Sequence, residues 1–145
     1  MRWWEELARV VVPVACAGCG APDEPWCAAC RAALGAPVRC ESGAPRLDRL
    51  DGRPVLPVWA CAPYVGAVRA AVVAWKDRGR ADLDPGMRAV LASASRRLAP
   101  SLAGVLAGRE LLVVPVPSSA AAVRRRGADL VGGLAGAVAA ELRRS

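Results

Sequence analysis

The chain has 145 residues, enough for one ordinary domain or for a mini-domain with a modest second one. Apolar residues make up 54% of it, but Phe is absent and five Trp and one Tyr supply all the large rings, so any core is built mainly from small side chains. His is absent, which excludes an imidazole base, a Cys₂His₂ finger and a His-ligated haem, and the net charge of +7 arises from residues 46–145, because residues 1–45 carry four basic against five acidic side chains.

Taken in chain order, residues 2–12 predict a short amphipathic helix with Trp3, Leu7 and Val10 or Val11 on one face and Pro13 as its stop. Trp3 and Trp4 are expected to cover the neighbouring module. Residues 14–45 are rich in Gly and Pro and hold two pairs of cysteines. Residues 46–54 read as a linker or loop. Residues 55–62 predict an extended strand that Pro57 confines to an edge or a bend. Residues 65–77 predict a helix, with Val65, Val68, Val72 and Trp75 at helical spacing. A second helix is expected over residues 86–99, with Asp84 as N-cap, Pro85 in the first turn and Pro100 as its end.

Residues 111–116 (LLVVPV) form a continuous apolar run of strand length, the pattern of a strand covered on both faces in a parallel sheet. Residues 117–127 are read as a loop. Residues 128–143 predict a final helix, with Asp129 near its start and Leu130, Leu134, Val138 and Leu142 on one face. This order suggests an N-terminal module over 1–45 and an α/β domain over 46–145. The longest uncharged stretch, Pro54 to Val68, is broken by Pro57 and Pro63 and falls short of the ~20 apolar residues a membrane helix needs. Glu5 and Glu6 stand where a signal peptide carries positive charge, so the expected address is the cytoplasm, where thiols stay reduced.

The cysteines supply the sharpest chemistry. Cys16-x₂-Cys19 and Cys27-x₂-Cys30 are separated by seven residues. A two-residue gap lets two thiolates on one turn face a common ion, and two such turns complete a tetrahedron. A redox dithiol needs one such pair; two in register point to metal, and four protein ligands leave no open position for a substrate. Cys16, Cys19, Cys27 and Cys30 are therefore expected to bind a structural zinc ion, with Gly18 and Gly20 giving the first turn its backbone freedom. Cys40 and Cys61 have no x₂ partner and read as small apolar residues.

The second candidate lies after the apolar run. Val116, Ser118 and Ser119 precede Arg124, Arg125, Arg126 and Gly127. A strand end, free N–H groups with hydroxyls and a following helix make a common anion cradle, which the arginines reinforce. Solvated arginines are the bland alternative. Asp82 and Asp84 have the more ordinary role of capping.

The order of these motifs resembles the ComF family of phosphoribosyltransferase-like proteins. The matching stretches are the paired cysteines, Ala62-Pro63-Tyr64-Val65-Gly66-Ala67-Val68-Arg69, Trp75-Lys76-Asp77-Arg78-Gly79-Arg80, and Val114-Pro115-Val116-Pro117 followed by Arg124-Arg125-Arg126-Gly127. The resemblance implies a small zinc ribbon followed by a partial type I phosphoribosyltransferase-like, Rossmann-like α/β domain. It implies pyrophosphate or phosphoribosyl pyrophosphate as ligand, held near Val116–Ser119 with Lys76 and Arg126, with Mg²⁺ where the whole transferase site exists. It also implies a link to DNA uptake in competence.

The chain departs from that pattern. Only Cys40 stands where the family often has a second set of cysteine pairs, Ala128 replaces an aromatic residue, and the apolar strand with two acids and a Thr-Thr-Gly loop does not follow. No catalytic residue is identified, and the expectation is a chain that is not a competent transferase alone, with exposed apolar surface that favours self-association. Two further readings stay open: a basic zinc-ribbon module binding single-stranded DNA through Arg124–Arg126, and a non-catalytic remnant that docks another protein.

Overall fold

The computed structural model describes residues 14–43, 50–51, 53, 56–106 and 108–144, with the side chain of residue 105 excepted. The predicted helix over residues 2–12, with Trp3 and Trp4, and most of the 46–54 linker lie outside the described residues.

The first described segment is a pair of cysteine turns. The chain then forms a short helix α1 (Ala28–Ala32), a two-residue strand β1 (Val38–Arg39) and its partner β2 (Trp59–Ala60). These strands pair antiparallel, Val38 with Ala60 and Arg39 with Trp59. The Arg39 guanidinium sits 5.3 Å from the centre of the Trp59 ring, which ties the small ladder together by a cation–π contact. Helices follow: α2 (Gly66–Asp77), a 3₁₀ turn over Ala81–Leu83, α3 (Asp84–Leu106), α4 (Ala120–Arg126) and α5 (Leu130–Leu142).

The expected α/β architecture is thus corrected. Among the described residues the only sheet is the two-stranded antiparallel β1–β2, and the domain is mostly helical, not a Rossmann-like parallel sheet. The run 111–116, expected to be a buried parallel strand, carries no helix, turn or ladder. Leu112, Val114 and Val116 are 72–82% exposed. A strand exists only by pairing its N–H and C=O groups with a neighbour. Among the described residues the segments that do pair use one another, 38–39 with 59–60 and Ala15 with Pro22 in an isolated bridge.

Two helix boundaries also differ from expectation. Pro100 lies inside α3, which runs for 23 residues. An internal proline costs about 3 kcal/mol, but Leu102, Ala103 and Leu106 beyond it border the same groove as Ala139 and Leu142 of α5, and that packing carries the helix on. The predicted loop over 117–127 contains α4. Ser119 caps it, its Oγ accepting from the Ala122 N–H at 3.2 Å, and Gly127 at φ +72° ends it in the left-handed conformation.

The core joins the cysteine turns to the helices. Cys16, Trp26 and Cys30 belong to one buried cluster with Ala71, Ala74 and Trp75 of α2, Leu83, Met87 of α3 and Leu130 of α5. On α2 the buried stripe is Ala71, Ala74 and Trp75, whereas Val65 is exposed and precedes the helix. Trp75 is anchored at its polar end, its Nε1–H donating to Asp84 Oδ1 at 3.3 Å. Arg88 one turn along holds the other oxygen of Asp84 at 2.6 Å. Asp84 therefore joins α2 to α3 instead of capping by the expected route. Asp129 does cap α5, accepting from the Gly132 N–H at 3.1 Å. Glu141 of α5 pairs with Arg96 of α3 at 2.9 Å, closing the helix pair at its far end.

Candidate metal centre

The two cysteine turns are built by backbone hydrogen bonds. The Gly20 N–H bonds to the Cys16 carbonyl and the Cys16 N–H to the Ala21 carbonyl, so residues 16–21 form a tight knuckle. Gly20 at φ +79° makes the reversal that an L side chain disfavours. Gly18 serves a different purpose from the expected backbone freedom, because it provides space. A Cβ there would lie 2.7 Å from Cys30 Sγ and 3.2 Å from the Ala67 carbonyl oxygen. The second pair straddles the start of α1, where Cys27 is the N-cap and its Sγ faces the Cys30 N–H at 3.5 Å.

The four sulfur atoms of Cys16, Cys19, Cys27 and Cys30 lie within 4.8 Å of one another. Cys19 Sγ and Cys27 Sγ are 3.7 Å apart. Four Zn–S bonds of about 2.3 Å in a tetrahedron put the sulfurs about 3.8 Å apart, so the spacing fits one such ion with little rearrangement. Cys16 and Cys30 are buried, Cys27 is half-buried and Cys19 is exposed. The expected ligands are thus brought together as one group able to chelate a metal ion.

Electrostatics make this a cation site. Burial works against a thiolate at Cys16, but the backbone N–H groups of Cys27, Cys19 and Gly18 outweigh it and lower the thiol to about 6. Burial, followed by the neighbouring sulfurs of Cys27, Cys19 and Cys16, pushes Cys30 up to about 12. Without an ion, the cluster therefore holds one thiolate readily and resists the last. A divalent ion removes that conflict by neutralising the crowded sulfurs, and binding releases protons.

Arg80 locks the cluster to the helices. Its Nη1 donates to the Ala15 carbonyl at 3.1 Å and its Nη2 to the Pro25 carbonyl at 3.2 Å, one contact beside each cysteine pair. Asp82 holds the same guanidinium at 2.8 Å. That hydrogen bond lowers the Asp82 carboxyl below its ordinary range against the opposing effect of burial. In the sequence Arg80 stands only in the polar stretch that follows the helix over 65–77, with nothing to mark this staple. A lone arginine after a Gly carries no signal that two carbonyls 55 and 65 residues earlier are its partners. Trp26 was also missed. It fills the interval between the pairs and packs its ring against Gly86 at the start of α3.

The other anticipated site residues lie elsewhere. Lys76 is exposed in the last turn of α2. Val116 is exposed, Ser119 is used as the α4 cap, Arg124 and Arg125 are exposed, and Gly127 is the α4 terminus. Ser118 Oγ and the Nε and Nη1 atoms of Arg126 are buried without a hydrogen-bond partner. No hydrogen bond or ion pair among the described residues links Lys76 to this group. Cys40 and Cys61 stand outside the four-sulfur cluster. Burial raises the Cys61 thiol.

No protein-family model, no curated protein and no solved structure matches the chain. The resemblance to the ComF family therefore reduces to its cysteine pattern. The phosphoribosyltransferase reading is overturned by the helical fold: with no parallel sheet among the described residues, 111–116 provides no strand end for a pyrophosphate or phosphoribosyl pyrophosphate cradle. The implied Mg²⁺ and the link to competence and DNA uptake fall with it. No helix among the described residues is long and apolar enough to cross a membrane.

Proposed function

We propose that this chain is a non-catalytic protein-docking module organised by one structural zinc ion on Cys16, Cys19, Cys27 and Cys30. The observation that carries the docking reading is the apolar strip at 111–116, where Leu112, Val114 and Val116 stand 72–82% exposed in one segment. Contiguous apolar surface of this kind marks an interaction site. Zinc is the ion favoured by four thiolates at tetrahedral spacing, and a site closed by four protein ligands serves structure instead of catalysis. All six cysteines are free thiols, which suits a reducing compartment, and the cytoplasm is the address we propose.

The strip is tested with bis-ANS, a dye that reports exposed apolar surface, on dilute zinc-loaded chain. The docking reading expects dye binding that is lost when Leu112, Val114 and Val116 are all changed to Lys, with the melting temperature retained. A wild-type chain that does not bind the dye, or a triple variant that binds it equally, sinks the reading.

A second reading has its own observation. The unpartnered Ser118 Oγ and Arg126 Nε and Nη1, beside the exposed Arg124 and Arg125, suit an anionic oxygen such as the phosphate of a single-stranded nucleic acid. It expects binding of a single-stranded oligonucleotide that weakens steeply with salt and is lost on changing Arg124–Arg126 to Ala. Binding indifferent to salt, or retained in that variant, removes it.

A further inference from the structure

We infer that two copies of this chain pair edge to edge through residues 110–118, antiparallel about a two-fold axis at Val114. This rests on the docking reading and names its partner.

Residues 110–118 have no backbone–backbone hydrogen bond among the described residues. Over residues 112–116 their exposure alternates: Leu112, Val114 and Val116 are 82%, 72% and 79% exposed, while Val113 and Pro115 are half-buried; Leu111 and Pro117 on either side are exposed as well. Such a period of two is that of extended backbone. Pro115 and Pro117 enforce it, since the residue before a proline is driven out of the helical region and towards extended conformations. The segment is therefore a strand in all but its partner.

Its two edges are not equivalent. Along a strand, the N–H and C=O of one residue point to one edge and those of the next residue to the other. Residues 111, 113, 115 and 117 share an edge, and two of them, Pro115 and Pro117, lack the N–H. Residues 110, 112, 114, 116 and 118 share the opposite edge, and each of them has its N–H. The three most exposed apolar residues of the segment are thus those whose amides lie on the intact edge.

That edge is symmetric about its centre. Placing Val114 against Val114 of a second copy sets Leu112 against Val116 and Glu110 against Ser118, all as hydrogen-bonded pairs. Every amide of the intact edge is then used, and both prolines fall at positions whose N–H the pairing does not need. Leu112 meets Val116, and Val114 meets itself, so the exposed apolar side chains become cross-strand neighbours on one face of the ladder. Glu110 faces Ser118 and Arg109 faces Ser119, so no like charges oppose. The same edge thus serves both copies, as the isologous interface of a closed two-fold dimer demands.

The test is the mass of the zinc-loaded full chain by sedimentation between about 1 and 100 µM, a range over which mass action populates an association of ordinary strength. The chain of 15.0 kDa is expected to double its mass with rising concentration. Val114→Pro, which removes the amide on the axis, is expected to leave a folded monomer. Val113→Pro, which removes an amide from the outer edge, is expected to keep the dimer. Should Val114→Pro fail to fold, hydrogen exchange of the wild type decides: amides 112, 114 and 116 slow with concentration while 113 does not. A wild type that stays monomeric, a Val114→Pro dimer, or exchange that slows at 113 as much as at 114, overturns the pairing. A monomer that still binds bis-ANS overturns the pairing alone; one that does not bind it overturns the docking reading as well.

Discussion

Changing Gly18 to Ala puts one methyl group where the cluster has no room. The added Cβ would sit 2.7 Å from Cys30 Sγ, 3.0 Å from Cys30 Cβ and 3.2 Å from the Ala67 carbonyl oxygen. Ordinary contacts between such atoms need about 3.5–4.0 Å, so something must give by close to an ångström. The Ala67 carbonyl belongs to α2 and is held by the helix, and Cys30 is a buried ligand at the start of the chain's core. The movable part is the first cysteine turn itself, and opening it drives Cys16 and Cys19 away from Cys30. Overpacking of this kind costs about 1–3 kcal/mol. Spent on ligand geometry, that is a loss of about 10- to 100-fold in zinc affinity. Competition with a chromophoric chelator measures the affinity, and a melting curve measures the fold. Gly43→Ala is the control, because a Cβ there meets nothing within 4 Å. A Gly18→Ala chain that binds zinc as tightly as the wild type and melts with it would refute the reasoning.

Arg80→Ala is expected to lose the staple to Ala15 and Pro25 and to destabilise the zinc-loaded chain by about 1–3 kcal/mol, a fall in melting temperature of roughly 3–10 °C; Arg80→Lys should recover only part, since an ammonium cannot reproduce the fork. Asp82 has a folded carboxyl held below its unfolded range, so its contribution is complete above about pH 4 and disappears as pH falls through the lowered value. The deficit of Asp82→Asn relative to wild type, measured by denaturant unfolding, should therefore be present at pH 7 and vanish in strong acid; a deficit independent of pH contradicts the Arg80 pairing. Gly86→Ala would bring a Cβ to 2.8 Å from the Trp26 ring, and the clash should outweigh the gain in helix propensity of up to about 1 kcal/mol, so the variant melts lower and its Trp fluorescence changes.

How far the sequence discloses this molecule differs by element. The two cysteine pairs were legible because x₂ spacing is a local geometric requirement that the turn satisfies by itself. Helices α2 and α5 were legible from periodicity, with Asp129 near the start of α5. Helix α4 carries its signals openly, Ser119 before three alanines and Gly127 after three arginines, yet its seven residues are too few to show a helical period, and the segment reads as a loop. The run 111–116 misled for a physical reason: apolar, β-branched sequence states a preference for extended backbone but not whether a neighbouring strand exists to complete it. Pro100 misled in the opposite sense, since a local penalty was outweighed by packing between α3 and α5. Arg80 and Trp26 were invisible because their partners are tens of residues away.

The zinc centre is tested most directly by the native mass of gently purified chain, together with X-ray absorption at the zinc edge. One zinc ion per chain, with four sulfur neighbours at about 2.3 Å, is the result the proposed site predicts from four sulfurs within 4.8 Å of one another. A bare polypeptide mass after purification without chelators, or a shell containing nitrogen or oxygen in place of sulfur, would contradict it.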